Sequence, residues 1–423
     1  MIHDLAIVGA GPAGLMAAKT AAEKGLKVVL IEKKSNISTV TRACCQLLIM
    51  DENFEGESVR LSEGKILFPN NGFAVDYTGP TCTVTDKYYI SPAGHKIHFS
   101  YPDKKPIVIK YDKGLLLQGL LEKCEKLGIE FKNSTVAYSV AETVEGIELS
   151  LRRKGRQSTI RAKKLIAADG VNSRNVESLG MNKERIYFAT ALCVLYFMEG
   201  IKGFEPTAIK SYFGLSYKSN VPVIMGPSLD NENIACLIIM GNKKQRPEQV
   251  FQNVTAGGAL SPLFEKAQVI NKLGCAVNAY TSLRVPWKDN TLIIGDAAGY
   301  VEVEIQGGLM CGYRAGNAVC QELAGEGGFE KYTKWWQTSF EFNSDDYLRV
   351  AQGFALVPTY ADDELDYLFG LIEDEVLEGT YNQYKSPKLM WDAFLKHRDR
   401  IGQERPDLYE KIKSKRLTLS DVL

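Results

Sequence analysis

The 423-residue sequence predicts an α/β protein. A parallel-sheet domain is assembled from separated pieces of chain, with an inserted antiparallel β-sheet and a helical C-terminal region. Three apolar runs carry that reading, each ending in glycine or Asp-Gly. The first is Asp4-Leu5-Ala6-Ile7-Val8-Gly9-Ala10-Gly11-Pro12-Ala13-Gly14. It reads as a strand, a glycine turn and a helix N-terminus of the Rossmann type, suited to the pyrophosphate of a dinucleotide. Gly9 allows the tight turn, Gly11 lets backbone approach the phosphates, and Gly14 lets the helix pack closely on the strand. Pro12 and Ala13 open that helix and join the candidate contacts, and Ala17, Ala18, Ala21 and Ala22 continue it with small side chains. Val28-Val29-Leu30-Ile31 is then a buried parallel strand. Glu32, followed by Lys33, stands where a carboxylate takes the ribose hydroxyls of an adenosine. Glycines alone would read equally well as an ordinary turn. With strand, helix, second strand and acid all in place, they read as a nucleotide site.

The late run Thr291-Leu292-Ile293-Ile294-Gly295-Asp296-Ala297-Ala298-Gly299 identifies the dinucleotide. It is a strand ending in Gly-Asp, followed by a Gln306-Gly307-Gly308 turn and a helix from Leu309 to Leu323. An Asp at such a strand end can bond a ribityl hydroxyl. The positive end of the helix can face the pyrimidine edge of an isoalloxazine and favour the anionic reduced flavin. The middle run Lys164-Leu165-Ile166-Ala167-Ala168-Asp169-Gly170-Val171-Asn172-Ser173 is a third strand running into Asp-Gly. Taken singly, Asp169 and Asp296 are turn or cap residues. The ordered trio points to FAD, with Asp169, Gly295, Asp296, Gly299, Gly307, Gly308 and Leu309 as candidate contacts.

In that order, Gly-Ala-Gly-Pro-Ala-Gly, Ala-Asp-Gly-Val-Asn-Ser and Gly-Asp-Ala-Ala-Gly resemble flavoproteins of the para-hydroxybenzoate hydroxylase fold. Within that group the chain is most similar to the geranylgeranyl reductase branch, over about its first three quarters. The resemblance implies bound FAD, a β-sheet roof over the flavin, and reduction of a carbon-carbon double bond.

Composition narrows the alternatives. Lys+Arg and Asp+Glu both total 51, so no net charge steers the chain to nucleic acid. No apolar run approaches a membrane span and the first strand begins almost at once, so a cytoplasmic protein without a signal peptide is expected. Nine irregularly spaced cysteines fit a reducing compartment. With four histidines and no C-x-x-C pair, no structural metal is expected.

The FAD domain is expected in three pieces, 1–75, 106–175 and 281–330. In the second, Ile107-Val108-Ile109 is a short strand, and Asp112 caps a helix that runs to about Leu127 and stops at Gly128. Residues 129–160 alternate as a strand meander, with turns at Gly146 and Gly155. Segments 76–105 and 176–280 form the inserted sheet, with turn clusters at 218–220 and 227–231 (Asp230 in the second). Two apolar runs, 191–197 and 234–240, are its central strands. Residues 331–423 read as helical. Tyr332, Trp335, Trp336, Phe340, Tyr347 and Leu348 suggest an aromatic packing face. The basic stretch from Lys385 to Arg416, with Trp391, Phe394 and Leu395, is either a solvated helix with a packed apolar face or a membrane-surface helix.

Thr41-Arg42-Ala43-Cys44-Cys45-Gln46 is the most unusual local feature. The resemblance places it beside the flavin, where reductases of this branch usually carry Arg directly before Cys-Gly. Here Ala43 is inserted and Cys45 replaces the Gly. On that alignment Arg42 and Ala43 are candidate flavin contacts and Cys44 a candidate catalytic thiol, positioning substrate or relaying a proton. Alternatively the two cysteines are small buried hydrophobes, and adjacent thiols also allow a strained, reducible disulfide. Glu302 and Glu304 lie between Gly299 and Gly307. If that segment is extended, both point to one side, and burial beside an aromatic cofactor would raise their pKa values into the range of a general acid. Otherwise they are solvated loop charges. Lys113 reads as a phosphate contact or as an exposed helix-end lysine.

Two features frequent in prenyl reductases are missing: a Trp and Phe-Pro pair in the roof, where Val221-Pro222-Val223-Ile224-Met225-Gly226-Pro227 stands, and a Pro after Gly-Asp-Ala-Ala-Gly. These departures point away from a long isoprenoid. Hydroxylase-type prolines and the Trp-rich signature of flavin halogenases are absent as well. The expected protein is an FAD-dependent oxidoreductase that reduces a carbon-carbon double bond in an apolar or partly apolar small molecule, with NAD(P)H or ferredoxin as donor. A hydroxylase of the same fold and a flavin electron-transfer protein are the alternatives.

Overall fold

The computed structural model describes residues 2–229, 231–344 and 356–414; Asp230, Tyr347, Leu348 and Arg416 lie outside them. Its first sheet brings the three apolar runs side by side. β1 (Ile2–Val8) lies between β2 (Val28–Ile31) and β14 (Arg156–Ala167). β11 (Glu130–Lys132) adds beyond β2 and β21 (Thr291–Ile293) beyond β14, all parallel. Strands covered on both faces need continuous apolar runs rather than alternation, which is what these sequences supply. The N-terminal half of β14 continues antiparallel into β13 (Gly146–Arg153) and β12 (Thr135–Thr143), and β20 (Trp287–Lys288) pairs with β21. This meander folds over one face, where Leu149 and Leu151 meet Val8 and Ile31.

The other face carries α1 (Pro12–Glu23), α2 (Lys113–Lys126) and α5 (Glu304–Leu323). Asp112 caps α2 by accepting from the Leu115 N–H at 2.9 Å. α5 lies so close to α1 that a Cβ at Gly312 would stand 2.3 Å from the Ala13 carbonyl oxygen and one at Gly316 2.7 Å from Thr20 Cβ. The alanines of α1 make that approach possible.

The inserted sheet has eight strands. Their order is β19 (Gln268–Tyr280), β15 (Tyr187–Glu199), β18 (Ile234–Gly241), β17 (Val223–Pro227), β16 (Ala208–Tyr212), β8 (Asp86–Ile90), β9 (Lys96–Ser100) and β22 (Val376–Glu378). Alternation along β15 and β18 divides its faces. Tyr196, Met198, Leu237 and Ile239 pack outward on Val250 of α4 (Pro247–Gln252), while Leu195, Phe197 and Cys236 turn inward to Ala43. Two small sheets complete the β structure: β3 (Leu47–Ile49), β10 (Val108–Tyr111) and β7 (Thr81–Val84), and β4 (Arg60–Ser62), β5 (Lys65–Phe68) and β6 (Phe73–Asp76). Segment 76–105 is therefore divided, because β7 pairs with β10 whereas β8 and β9 join the large sheet.

The C-terminal region is not purely helical and does not stand apart. α3 (Arg174–Ser178) precedes the inserted sheet, and α6 (Gly328–Ser339) follows α5 into the first core, where Trp336 Nε1 donates to the Leu283 carbonyl at 2.8 Å. β22 then adds parallel to β9, since a short apolar edge accepts the Val376-Leu377-Glu378 backbone. α7 (Leu356–Thr359), α8 (Asp362–Gly370) and α9 (Lys385–Lys396) pack Leu365, Phe369, Met390 and Phe394 against Phe99 and Phe213. Of the apolar residues named in the basic stretch, Phe394 is buried and Trp391 packs on the same cluster, whereas Leu395 is exposed. Among the described residues, no helix is long and apolar enough to cross a membrane.

Candidate active site

The glycine turn has the shape a dinucleotide requires. Gly9 has φ +104°, and a Cβ there would stand 2.2 Å from the Ala168 carbonyl oxygen; at Gly14 it would stand 1.8 Å from that of Gly9. Both positions are closed by the protein itself. At Gly11 a Cβ would meet nothing within 4 Å, so this backbone borders open space, as a phosphate approach demands. Glu32 is buried, its Oε2 accepting from Ala10 N–H at 2.7 Å and its Oε1 from Lys34 N–H at 2.8 Å. It thereby fixes the turn while keeping acceptor capacity for ribose hydroxyls. Lys33 is exposed; it is Lys34 that lies within electrostatic range of Glu32, Arg42 and Lys113.

Asp169 works as the cap that its sequence setting also allowed. Its carboxylate takes Ser173 Oγ at 2.5 Å, Asn175 Nδ2 at 2.8 Å and Arg174 N–H at 3.1 Å, holding the start of α3. The side chain is consumed as a cap, and it steadies the Ala168 carbonyl against which Gly9 turns.

At the other end, β21 runs into a tight turn over Gly295–Ala297, and Asp296 Oδ1 accepts from Val303 N–H at 3.0 Å. α5 begins at Glu304, five residues earlier than expected. Gly307 and Gly308 lie inside it rather than in a turn. Their missing side chains admit Phe340, 3.1 Å from a Cβ at Gly307, and Pro12, 3.4 Å from one at Gly308. Leu309 is wholly buried in the core. These three residues set the place of α5. The loop before the helix is not extended either: Val301 has φ +61° and Glu304 +57°. A β-branched residue in the left-handed region is strained, and such strain persists where surroundings over-determine the backbone. Part of that determination comes from Arg185, unsuspected from the sequence. Its guanidinium donates to the carbonyls of Thr281 (2.5 Å), Ala297 (3.2 Å) and Gly299 (2.7 Å).

The kink still brings Glu302 and Glu304 together beside Asp296, with Arg42 and Lys113 as counter-charges. Glu302 is solvent-accessible but crowded by Asp296, Arg42, Lys113 and Cys275 of β19. Burial, and next the Asp296 carboxylate, raise its pKa to about 7. Burial and then Glu302 push that of Glu304 well up. Both acids therefore retain protons near neutral pH.

The Arg42–Cys45 loop lies beside these acids. Gln306 fixes the strand after it, its Oε1 accepting from Ile49 N–H at 2.7 Å. Lys113, buried in part rather than exposed, brings Nζ to 3.8 Å from Cys44 Sγ. Burial raises the pKa of Cys44 and raises that of Cys45 further, so both remain neutral thiols; both are free, with no disulfide between them. Cys45 packs with Ile224 and Tyr381. Three groups missed in the sequence also border this space: Tyr381 from the C-terminal region, Cys193 on β15 and Cys275 on β19. Strand alternation marks Cys193 as sharing a face with Leu195, but nothing in one sequence says which face turns toward Arg42.

A glycine cradle open at Gly11, an acid at the end of β2 and a charged cavity at the start of α5 define an FAD-binding flavoprotein. Residues 3–324 match the family model described as FAD binding domain, and the chain belongs to that family; it is an FAD-dependent oxidoreductase. The digeranylgeranylglycerophospholipid reductase of Methanococcus vannielii is 26% identical over 358 residues, 81% of this chain and 85% of that one. Its namesake from Methanosarcina acetivorans is 25% identical, aligned over 94% of this chain and 97% of its own. A solved geranylgeranyl bacteriochlorophyll reductase-like protein from Thermoplasma acidophilum shares the fold at TM-score 0.73 and 19% identity, covering 97% of this chain and 98% of that one. The resemblance read from the three motifs is thereby borne out.

Proposed function

We propose that the chain reduces a carbon-carbon double bond of an apolar, lipid-like substrate and that Glu302 delivers the proton. Gly9, Gly11, Gly14 and Glu32 would hold the adenosine diphosphate half of FAD, and Asp296 with the 299–303 loop its flavin half. Bound and reduced, the cofactor supplies a hydride. The observation that carries the reading is Glu302 itself, a carboxyl whose pKa is raised to about 7 beside Arg42, next to the Ala43 loop on which the inward face of the roof, Leu195 and Phe197, packs. The inward face of the roof excludes water and accommodates a hydrocarbon. Arg42 and Lys113 moderate the charge that Glu302 acquires on giving up its proton. The roof departures argue against a long isoprenoid chain, while relatives named for a digeranylgeranyl lipid argue for one. Both agree on an apolar alkene. The reductant is NAD(P)H or ferredoxin, acting from outside the chain.

The test is Glu302→Gln, with FAD content checked by absorbance and turnover followed on a prenylated glycerolipid with a chemically reduced flavin. A positioned general acid contributes on the order of a hundredfold or more, so a drop of that size with unchanged FAD content is expected. Undiminished turnover across the pH range would remove Glu302 from the reaction.

A further inference from the structure

Cys193 and Cys275 stand directly opposite each other in the β15–β19 ladder. Directly opposed residues on antiparallel strands have Cβ atoms only about 4.5–5.5 Å apart, close to the reach of a disulfide. The two thiols are close enough for their titrations to affect one another. Both are free and half-buried, and β19 is an edge strand whose neighbouring Gly274 and Ala276 are exposed. The pair lies on the wall facing the Arg42 loop. The Arg42 guanidinium lies within electrostatic range of the Cys275 sulfur, and Ala43 packs on the same wall.

We propose that Cys193 and Cys275 form a reversible dithiol–disulfide centre in the wall of the flavin cavity, through which a low-molecular-weight disulfide controls the Arg42 loop. The Cys275 thiolate attacks one sulfur of the disulfide, an S–S bond forms to that half, and the other half leaves as a thiolate that takes a proton from water. Cys193 then loses its proton to water and attacks the Cys275 sulfur. The second half departs as a thiol, so two protein thiols and one small disulfide become one protein disulfide and two small thiols. Cys275 is the attacking group because the neighbouring Cys193 thiol and the Arg42 charge favour its thiolate and lower its pKa, and it sits on an edge strand, whereas burial keeps Cys44 and Cys45 protonated. Oxidation removes the anion that attracts Arg42, loosening the loop that borders the flavin. The inference does not depend on Glu302 as proton donor, and thiol chemistry reads it without any turnover assay.

In the FAD-loaded protein, iodoacetamide at pH 7 should modify Cys275 on the order of tenfold faster than Cys44. Incubation with oxidised glutathione, quenching and peptide mapping should show two fewer free thiols and a Cys193–Cys275 cross-link that dithiothreitol reverses. Flavin fluorescence should change with that oxidation in the wild type and stay constant on the same treatment in Cys275→Ala, which has no attacking thiolate. In Cys193→Ala, Cys275 should be trapped as a mixed disulfide with glutathione and no cross-link should form. Recovery of both cysteines as free thiols under conditions that oxidise a reference dithiol would overturn the proposal. So would a cross-link between Cys44 and Cys45 instead, or an equal fluorescence change in Cys275→Ala. If Cys275→Ala fails to fold, Cys275→Ser takes its place with the same outcomes.

Discussion

At the residue scale, the site works through charges held in an environment that disfavours them. Asp296, Glu302 and Glu304 crowd one loop, and burial raises all three pKa values while Lys113 lowers each of them. Lys113 is thus the cation shared by all three, with Arg42 acting on Asp296 and Glu302 as well. Replacing Lys113 by Met removes one stabilising charge from each carboxylate, so their pKa values rise further. A reaction that requires protonated Glu302 loses rate as pH climbs through that pKa. Lys113→Met should therefore carry the falling limb of kcat/KM against pH to higher pH. A limb that stays put, or moves to lower pH, would show that the limiting proton lies elsewhere. The sequence singled out Glu302 and Glu304 because carboxylates in a loop beside Gly-Asp are suggestive, but it misjudged how they converge. An extended segment was expected, and a kink with Val301 in the left-handed region does the job instead. A single chain holds no signal for a strained φ at Val, because local propensity argues against it and only the surrounding contacts impose it.

At the element scale, the contact of α1 with α5 ties the two ends of the cofactor site together. α1 starts at the glycine turn and α5 at the flavin loop, and they touch along Gly308, Gly312 and Gly316, four residues apart and so on one face. A methyl at Gly312 would meet the Ala13 carbonyl at 2.3 Å and the Ala17 nitrogen at 2.9 Å, both backbone atoms that cannot swing aside. Gly312→Ala should force the helices apart, cost about 1–3 kcal/mol of stability and weaken FAD retention in parallel. Urea denaturation and flavin release measured on one preparation decide it; unchanged values for both would mean that the helices have slack. The elements themselves were readable. The buried parallel strands betray themselves as apolar runs, the Asp112 cap and Gly128 stop frame α2, and Gly146 and Gly155 mark the meander turns. The start of α5 was misplaced because Gly-Gly is turn punctuation in a sequence, and only the packing of Phe340 and Pro12 shows why glycine is needed inside a helix there. Likewise β22 went unseen, since three residues have no periodicity to detect and the strand exists only because β9 offers an edge.

At the scale of the whole molecule, the last segment of chain fastens the roof to the flavin half. Asp51, just past β3, accepts from Thr380 Oγ1 and, at 2.9 Å, from Tyr381 N–H. From the roof, Lys87 of β8 donates to the Thr380 carbonyl at 3.1 Å and to Ser386 Oγ at 2.5 Å, its ammonium lying over the rings of Tyr89 and Phe99. This knot sets the position of Tyr381, which packs with Cys45 at the cavity. Lys87 is buried, and that burial pulls its pKa down to about 7, against only a weak opposing pull from Asp51. Between about pH 7 and the ordinary lysine range the folded state binds fewer protons here than the unfolded chain. Through this group, stability rises with pH across that window and is lost as pH falls through about 7. Lys87→Met keeps the apolar stem within the aromatic rings and deletes the titration. The stability of the wild type relative to the variant should then grow by about 1.4 kcal/mol for each pH unit gained inside the window, read as a widening gap between their denaturation midpoints. Parallel midpoints from pH 7 to 9 would mean that Lys87 keeps its proton in the fold and that the knot holds by charge rather than by neutral hydrogen bonds.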